Sequence, residues 1–214
     1  MHRHIALVFA CLPLLGILLG CGQETAPWSE VPPATATPIP GWEKFEANGI
    51  AIWLPESYEG GSLGEGDVDV LTQKVRGLGP EFEQIAQMVE QNPSAYVLWM
   101  FDSVVGNPYF LTNVSISKER ILSAITIDSY LDVTLKQLPS QIQVLERSII
   151  PLGNRQAGRL IVGMALPNYT AREIMYIVKE GNTMWLIAFA TSAEEFDERQ
   201  PTFEQSAHTF TIQP

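Results

Sequence analysis

Four runs in the C-terminal half decide the fold class: QVLERSII (residues 143–150), QAGRLIVGMA (156–165), REIMYIVK (172–179) and TMWLIAFAT (183–191). Each has the length of a strand and follows a period of two instead of the helical 3.6. Leu152-Gly153-Asn154, Pro167-Asn168 and Glu180-Gly181-Asn182 separate them and supply turn chemistry. Connections this short join antiparallel neighbours, because a parallel pair needs a crossover of about a dozen residues or more. The stretch therefore reads as a four-stranded antiparallel meander.

On its N-terminal side, Ile127, Tyr130, Leu131, Thr134, Leu135 and Leu138 form one largely apolar face, which predicts a helix over 127–138. Thr126 is its N-cap, Asp128 complements the dipole in the first turn, and Pro139 closes it. Tyr96 to Phe101 and Asn113 to Ser117 read as short strands. Phe82, Ile85, Ala86 and Val89 predict another helix, opened by Gly79-Pro80 and ended by Asn92-Pro93. Glu56 to Asp69, rich in Gly and acid, reads as a loop. Asn48-Gly49 leads into the strand Ile50 to Leu54, which stops at Pro55. Beyond the meander, Ser192-Ala193-Glu194-Glu195 matches a capping box and predicts a short helix. Pro201 should interrupt it, with a second helix from there to about His208. Phe210 and Ile212 continue as a terminal strand or tail.

A meander flanked by helices before and after it is an α+β arrangement, a central antiparallel sheet sandwiched by helices. Several residues sharpen that reading. Gly49-Ile50-Ala51-Ile52-Trp53-Leu54-Pro55 opens the fold, and a helix containing Tyr130 follows. Then come the Gly158-Arg159-Leu160 strand, the hairpin from Ile174-Met175-Tyr176 to Trp185-Leu186-Ile187, and a closing His208-Thr209-Phe210. In this order the chain resembles the PsbP-like superfamily of photosystem II extrinsic proteins, nuclear-transport Mog proteins and many bacterial lipoproteins. The resemblance runs from about Trp42 to Pro214. It implies non-catalytic assembly, docking or stabilising work, and carries no binding residue over to this chain.

The N-terminus reads as an address. Arg3 is followed by an uncharged, apolar run from Ile5 to Leu19, the length of a signal-peptide core and short of a membrane span. Leu18-Leu19-Gly20-Cys21 resembles the bacterial lipobox, which implies lipidation of Cys21 and cleavage before it. Gly22 to Pro40 holds Pro27, Pro32, Pro33, Pro38 and Pro40 among small polar residues, the composition of an extended spacer. The expected organisation is a lipoprotein signal peptide (1–20), a lipidated Pro/Thr-rich tether (21–41) and a PsbP-like α+β domain (42–214). Such a protein sits at the cell membrane on its extracytoplasmic face.

Composition narrows the chemistry. The net charge is −11, and losing residues 1–20 would remove Arg3 and no acid. An acidic chain with pI about 4.7 lacks the basic stripe of a nucleic-acid binder. Only Cys11 and Cys21 occur, so after cleavage no intrachain disulfide is possible. His208 is the one histidine outside the leader, which leaves a Ser-His-Asp triad or a zinc site without ligands. The acids Glu56, Glu59, Glu65, Asp67 and Asp69 imitate a calcium loop, but its sixth and twelfth places fall on Val70 and Arg76. Trp53, Trp99 and Trp185 read as core. Met164, Met175 and Met184 suggest core filler or the lining of a lipophilic pocket. The expectation is therefore a lipid-anchored, non-enzymatic interaction or assembly module with a protein partner, no cofactor and no metal. Its single site residue is Cys21. A carrier of a small lipophilic ligand is the alternative, followed by a hydrolase using carboxylates of the 56–69 loop.

Overall fold

The computed structural model describes residues 38–64, 67–166 and 168–213. The segments expected to be a signal peptide and a tether, as far as residue 37 and with Cys21 among them, lie outside the described residues. Strand β1 (Trp42–Ala47) turns through Asn48 and Gly49, at φ 44° and 86°, into β2 (Ile50–Pro55). Two successive left-handed residues make the hairpin turn whose twist matches paired strands. Strand β10 (Thr211–Ile212) completes a three-stranded sheet in the order β1-β2-β10.

The larger sheet contains β3 (Tyr58–Gly61), β4 (Leu98–Asp102), β5 (Asn113–Arg120), β6 (Ile142–Leu152), β7 (Arg155–Ala165), β8 (Thr170–Glu180) and β9 (Thr183–Ser192). Its order is β3-β4-β5-β9-β8-β7-β6, with every neighbour antiparallel. The meander is as expected. Gly153 and Gly181, at φ 61° and 56°, occupy the tight turns that no β-branched residue would accept.

Each face of this sheet buries a different layer. On one face Ile174, Tyr176, Ile187 and Phe189 pack against the small sheet and helix α4 (Phe196–His208) through Ile52, Leu54, Phe196 and Phe203. On the other, Leu160, Met175 and Met184 meet Tyr130 and Leu131 of α3 (Ile127–Gln137). That face also carries Trp99 and Phe101, covered by α1 (Asp67–Gly77) and α2 (Glu83–Gln91). Burial on both faces replaces the expected period of two in β7, β8 and β9 with nearly continuous buried runs.

Helix α3 is capped as expected: the Thr126 hydroxyl accepts from the Ser129 N–H at 3.1 Å, and the Ser129 hydroxyl accepts from the Thr126 N–H at 3.0 Å. Three expectations fail. The 56–69 stretch is not one loop, since it contains β3 and the start of α1. Gly60 and Gly61 carry no side chains to alternate, and α1 buries only Leu71, Thr72 and Val75, too narrow a stripe to show as a helical period. The capping box at Ser192 does not form either. Ser192 ends β9, and α4 begins at Phe196 and runs through Pro201 unbroken. Proline removes one backbone bond there, while Phe196 and Phe203 anchor both halves of the helix in the same core.

Gly60 sits at φ 138°, and a Cβ there would lie 2.4 Å from the Trp99 carbonyl oxygen. Gly60→Ala is expected to cost about 2–3 kcal/mol in urea denaturation, because backbone must move to admit it. Gly77→Ala, in open space at the end of α1, should cost nothing and gain up to about 1 kcal/mol.

Candidate functional site

The polar groups converge where the N-terminal half of α4 meets the ends of β3 and β4. There a cleft of about 350 Å³ is lined by Tyr58, Asp102, Val104, Glu195, Glu198 and Arg199, among others. Asp102 ends β4 directly opposite Tyr58 of β3. Its Oδ2 accepts from Arg199 Nη1 at 2.6 Å, and its Oδ1 accepts from the Val104 N–H at 3.0 Å. Glu195 stands one helical turn before Arg199, 3.6 Å from Nη2. The Ser192 and Thr191 hydroxyls donate to Glu195 Oε2 at 3.1 and 3.3 Å. Gly106 leaves room for this carboxylate, since a Cβ at that position would overlap Glu195 Oε1.

Charge and hydration are unequal across the cleft. Asp102 is almost wholly buried, and Arg199 and Glu195 keep about a fifth of their side-chain surface. Burial works against the Arg199 charge, but its hydrogen bond to Asp102 and the fields of Glu195 and Asp102 outweigh that and raise its pKa. The Tyr58 hydroxyl is buried without a hydrogen-bond partner. Burial first, then the Asp102 carboxylate, push its pKa far above the ordinary value, so it remains a neutral hydroxyl. Three carboxylates face one guanidinium, and Glu198 is exposed with no ion-pair partner among the described residues. The arrangement offers acceptors to a cation and has no paired nucleophile and base.

A second, more open cleft of about 430 Å³ lies between α1 and β1, lined by Phe45, Glu46, Asp67, Val70, Leu71 and Lys74 among others. Lys74 there is paired with Glu59 at 2.7 Å, and the polar groups are solvated. Asp67 and Asp69 serve the first turn of α1. No group of three His, Cys, Asp or Glu able to hold a metal occurs among the described residues. His208 ends α4 and is exposed. Trp53, Trp99 and Trp185 are core residues, as expected. Met164, Met175 and Met184 are buried in the core and do not line either of these two clefts. Sequence reasoning did not bring together Tyr58, Asp102, Glu195 and Arg199. The one available signal was a carboxylate, Asp102, closing the apolar run Leu98 to Phe101.

No family model matches the chain, and no curated protein matches it. Solved structures do. Cyanobacterial PsbP (CyanoP) from Synechocystis sp. PCC 6803 aligns with a TM-score of 0.53 at 12% identity, over 85% of this chain and 98% of that one. The fold is PsbP-like. LpqN of Mycobacterium tuberculosis, involved in cell envelope biogenesis, gives 0.49 at 13% identity over 77% and 83% of the two chains. The Saccharomyces cerevisiae Ran-binding protein Mog1p gives 0.45 at 10% over 80% and 95%. At these identities the likeness is one of fold.

One further buried acid stands apart from the cleft. Glu173 of β8 lies between Val162 and Ala190, with Oε2 unpaired. Burial raises its pKa to about 8. Its folded pKa is thus above the unfolded one, so the folded state binds the extra proton and stability falls as pH rises through this window. Glu173→Gln should remove the penalty. Its stability advantage over wild type in denaturant titrations should widen by about 1.4 kcal/mol per pH unit between about 5 and 8, and no such widening should occur below that range.

Proposed function

We propose that the protein is a lipid-anchored, extracytoplasmic module that binds another protein and performs no catalysis. The observation that carries this reading is Leu18-Leu19-Gly20-Cys21 at the end of an uncharged apolar run. Cys21, acylated as the first residue of the mature chain, supplies the anchor. A single acyl chain holds a protein only marginally and two hold it stably. The acidic domain adds no attraction to anionic headgroups, so attachment rests on Cys21. No helix among the described residues is long and apolar enough to cross a membrane. The Pro-rich segment 22–40 spaces the domain from the bilayer by several tens of ångströms at about 3.1 Å per residue.

The cleft beside α4 supports the binding half of the reading. Asp102, Arg199 and Glu195 are tied into hydrogen bonds and ion pairs, which suits a rigid recognition surface better than proton transfer. On the loop between β4 and β5 beside it, Val104, Val105 and Tyr109 are exposed, with Val104 at 65%. Exposed apolar side chains grouped together and bordered by polar residues are a feature of protein-binding patches.

Two measurements test the reading. Metabolic labelling with a palmitate analogue should mark the wild type and leave Cys21→Ser unlabelled, whereas equal label on both would remove the anchor. Photo-crosslinking from position 105 in intact membranes should capture a discrete protein partner, and repeated capture of nothing would count against a binding module.

A further inference from the structure

We infer that the free edge of β1 is the docking site for Ala34-Thr35-Ala36-Thr37 of the same chain, which adds there as a further strand of the small sheet. The inference is independent of the lipid-anchor reading. Strand β1 ends the order β1-β2-β10, so its second edge has no strand neighbour among the described residues. The two-residue turn Asn48-Gly49 makes Ala47 and Ile50 the closing hydrogen-bonded pair, and by alternation Phe45 and Glu43 also bond towards β2. Lys44 and Glu46 therefore direct their backbone N–H and C=O groups to the free edge. An open row of this kind is a template for one more strand.

The chain leading into β1 has the geometry to fill it. The Trp42 N–H donates to the Ile39 carbonyl at 3.0 Å, with Pro40 and a left-handed Gly41 (φ 77°) between them. This is a reverse turn. Its closing bond lies on the free-edge side, because Trp42 shares the parity of Lys44 and Glu46. The Gly41 carbonyl, of the other parity, accepts from the Glu56 N–H on the β2 side at 3.1 Å. The chain before Ile39 thus arrives antiparallel to β1 along its free edge. Counting back from the turn sets Thr37 opposite Lys44 and Thr35 opposite Glu46, both hydrogen-bonded pairs in that register. Pro38 falls opposite Glu43, where an N–H would point away from β1 and none is needed. Pro33 falls opposite Asn48, beyond the end of β1, so the proline-free stretch matches the edge it covers.

The cleft of about 430 Å³ lies on this edge. Phe45 and Glu46, whose side chains leave opposite faces of β1, both line it. Gly60 and Gly61 of β3 and Val70 of α1 line it too, and Val70 is 60% exposed. Phe45 and Ala47 pack on the core, so Ala34 and Ala36 share the inner face, while Thr35 and Thr37 share the solvated face of Lys44 and Glu46. That alternation suits a half-buried strand. A separate partner or a second copy would lose translational freedom on binding here, whereas this segment is already joined through a formed turn.

Residue-resolved amide hydrogen exchange of the full chain in detergent tests this. The N–H groups of Thr35, Thr37, Lys44 and Glu46 should exchange about tenfold or more slower than unprotected amides. Thr35→Pro/Thr37→Pro removes both donors of the added strand and should speed exchange at Lys44 and Glu46 about tenfold. Phe45 and Ala47, bonded to β2, should stay slow, which separates loss of the added strand from unfolding of the sheet. Unprotected Lys44 and Glu46 in wild type, or protection unchanged in the double variant, overturns the inference. Protection that appears only as protein concentration rises also overturns it, in favour of a strand lent by a second copy.

Discussion

The Asp102–Arg199 ion pair joins the end of β4 to helix α4 across 97 residues of sequence, and the placement of the helix and of the cleft beside it depends on it. Helix α4 has little amphipathic pattern of its own. It is kept on the sheet by Phe196 and Phe203 in the core and by charged contacts along its length. Arg159 of β7 reaches Glu204 at 2.9 Å and also bonds Glu146, while Arg199 reaches Asp102. These two arginines, both largely buried, hold the helix at separate points. Burying an ion pair costs solvation, so such pairs contribute more to one defined helix position than to bulk stability.

That position creates the cleft. With α4 fixed, Glu195 is brought under the β4–β5 loop, where Gly106 makes space for it, and Tyr58 is sealed beneath. The central strands β7, β8 and β9 are buried and largely apolar on both faces, which is why the exceptions stand out. Arg159 is paired, Asp102 is paired, and Glu173 is not. Polar groups inside a doubly covered sheet are expensive unless satisfied, so Glu173 remains neutral over much of the physiological range.

The fold was legible wherever side-chain period and turn chemistry agreed. The meander carries strand-length apolar runs joined by Gly153-Asn154 and Gly181-Asn182, and Thr126 marks the start of α3 without ambiguity. Legibility failed where the pattern depended on tertiary contact. Strand β3 is paired through glycines that have no side chains to reveal it, and α1 hides its narrow apolar stripe among Asp, Gln and Lys. At Ser192 a local cap competed with the last rung of β9, and the sheet won. The cleft was invisible for a different reason. Tyr58, Asp102 and Glu195–Arg199 come from three distant segments, and no spacing rule links them.

The central claim is that Asp102 and Arg199 act as one unit that fixes α4, and a double-mutant cycle measures it most directly. Asp102→Asn and Arg199→Met should each cost about 2–4 kcal/mol, since either leaves a buried partner uncompensated. The double variant should cost little more than one single change, giving a coupling of about 2 kcal/mol or more. Additive costs, or singles each within about 0.5 kcal/mol of wild type, would contradict the account.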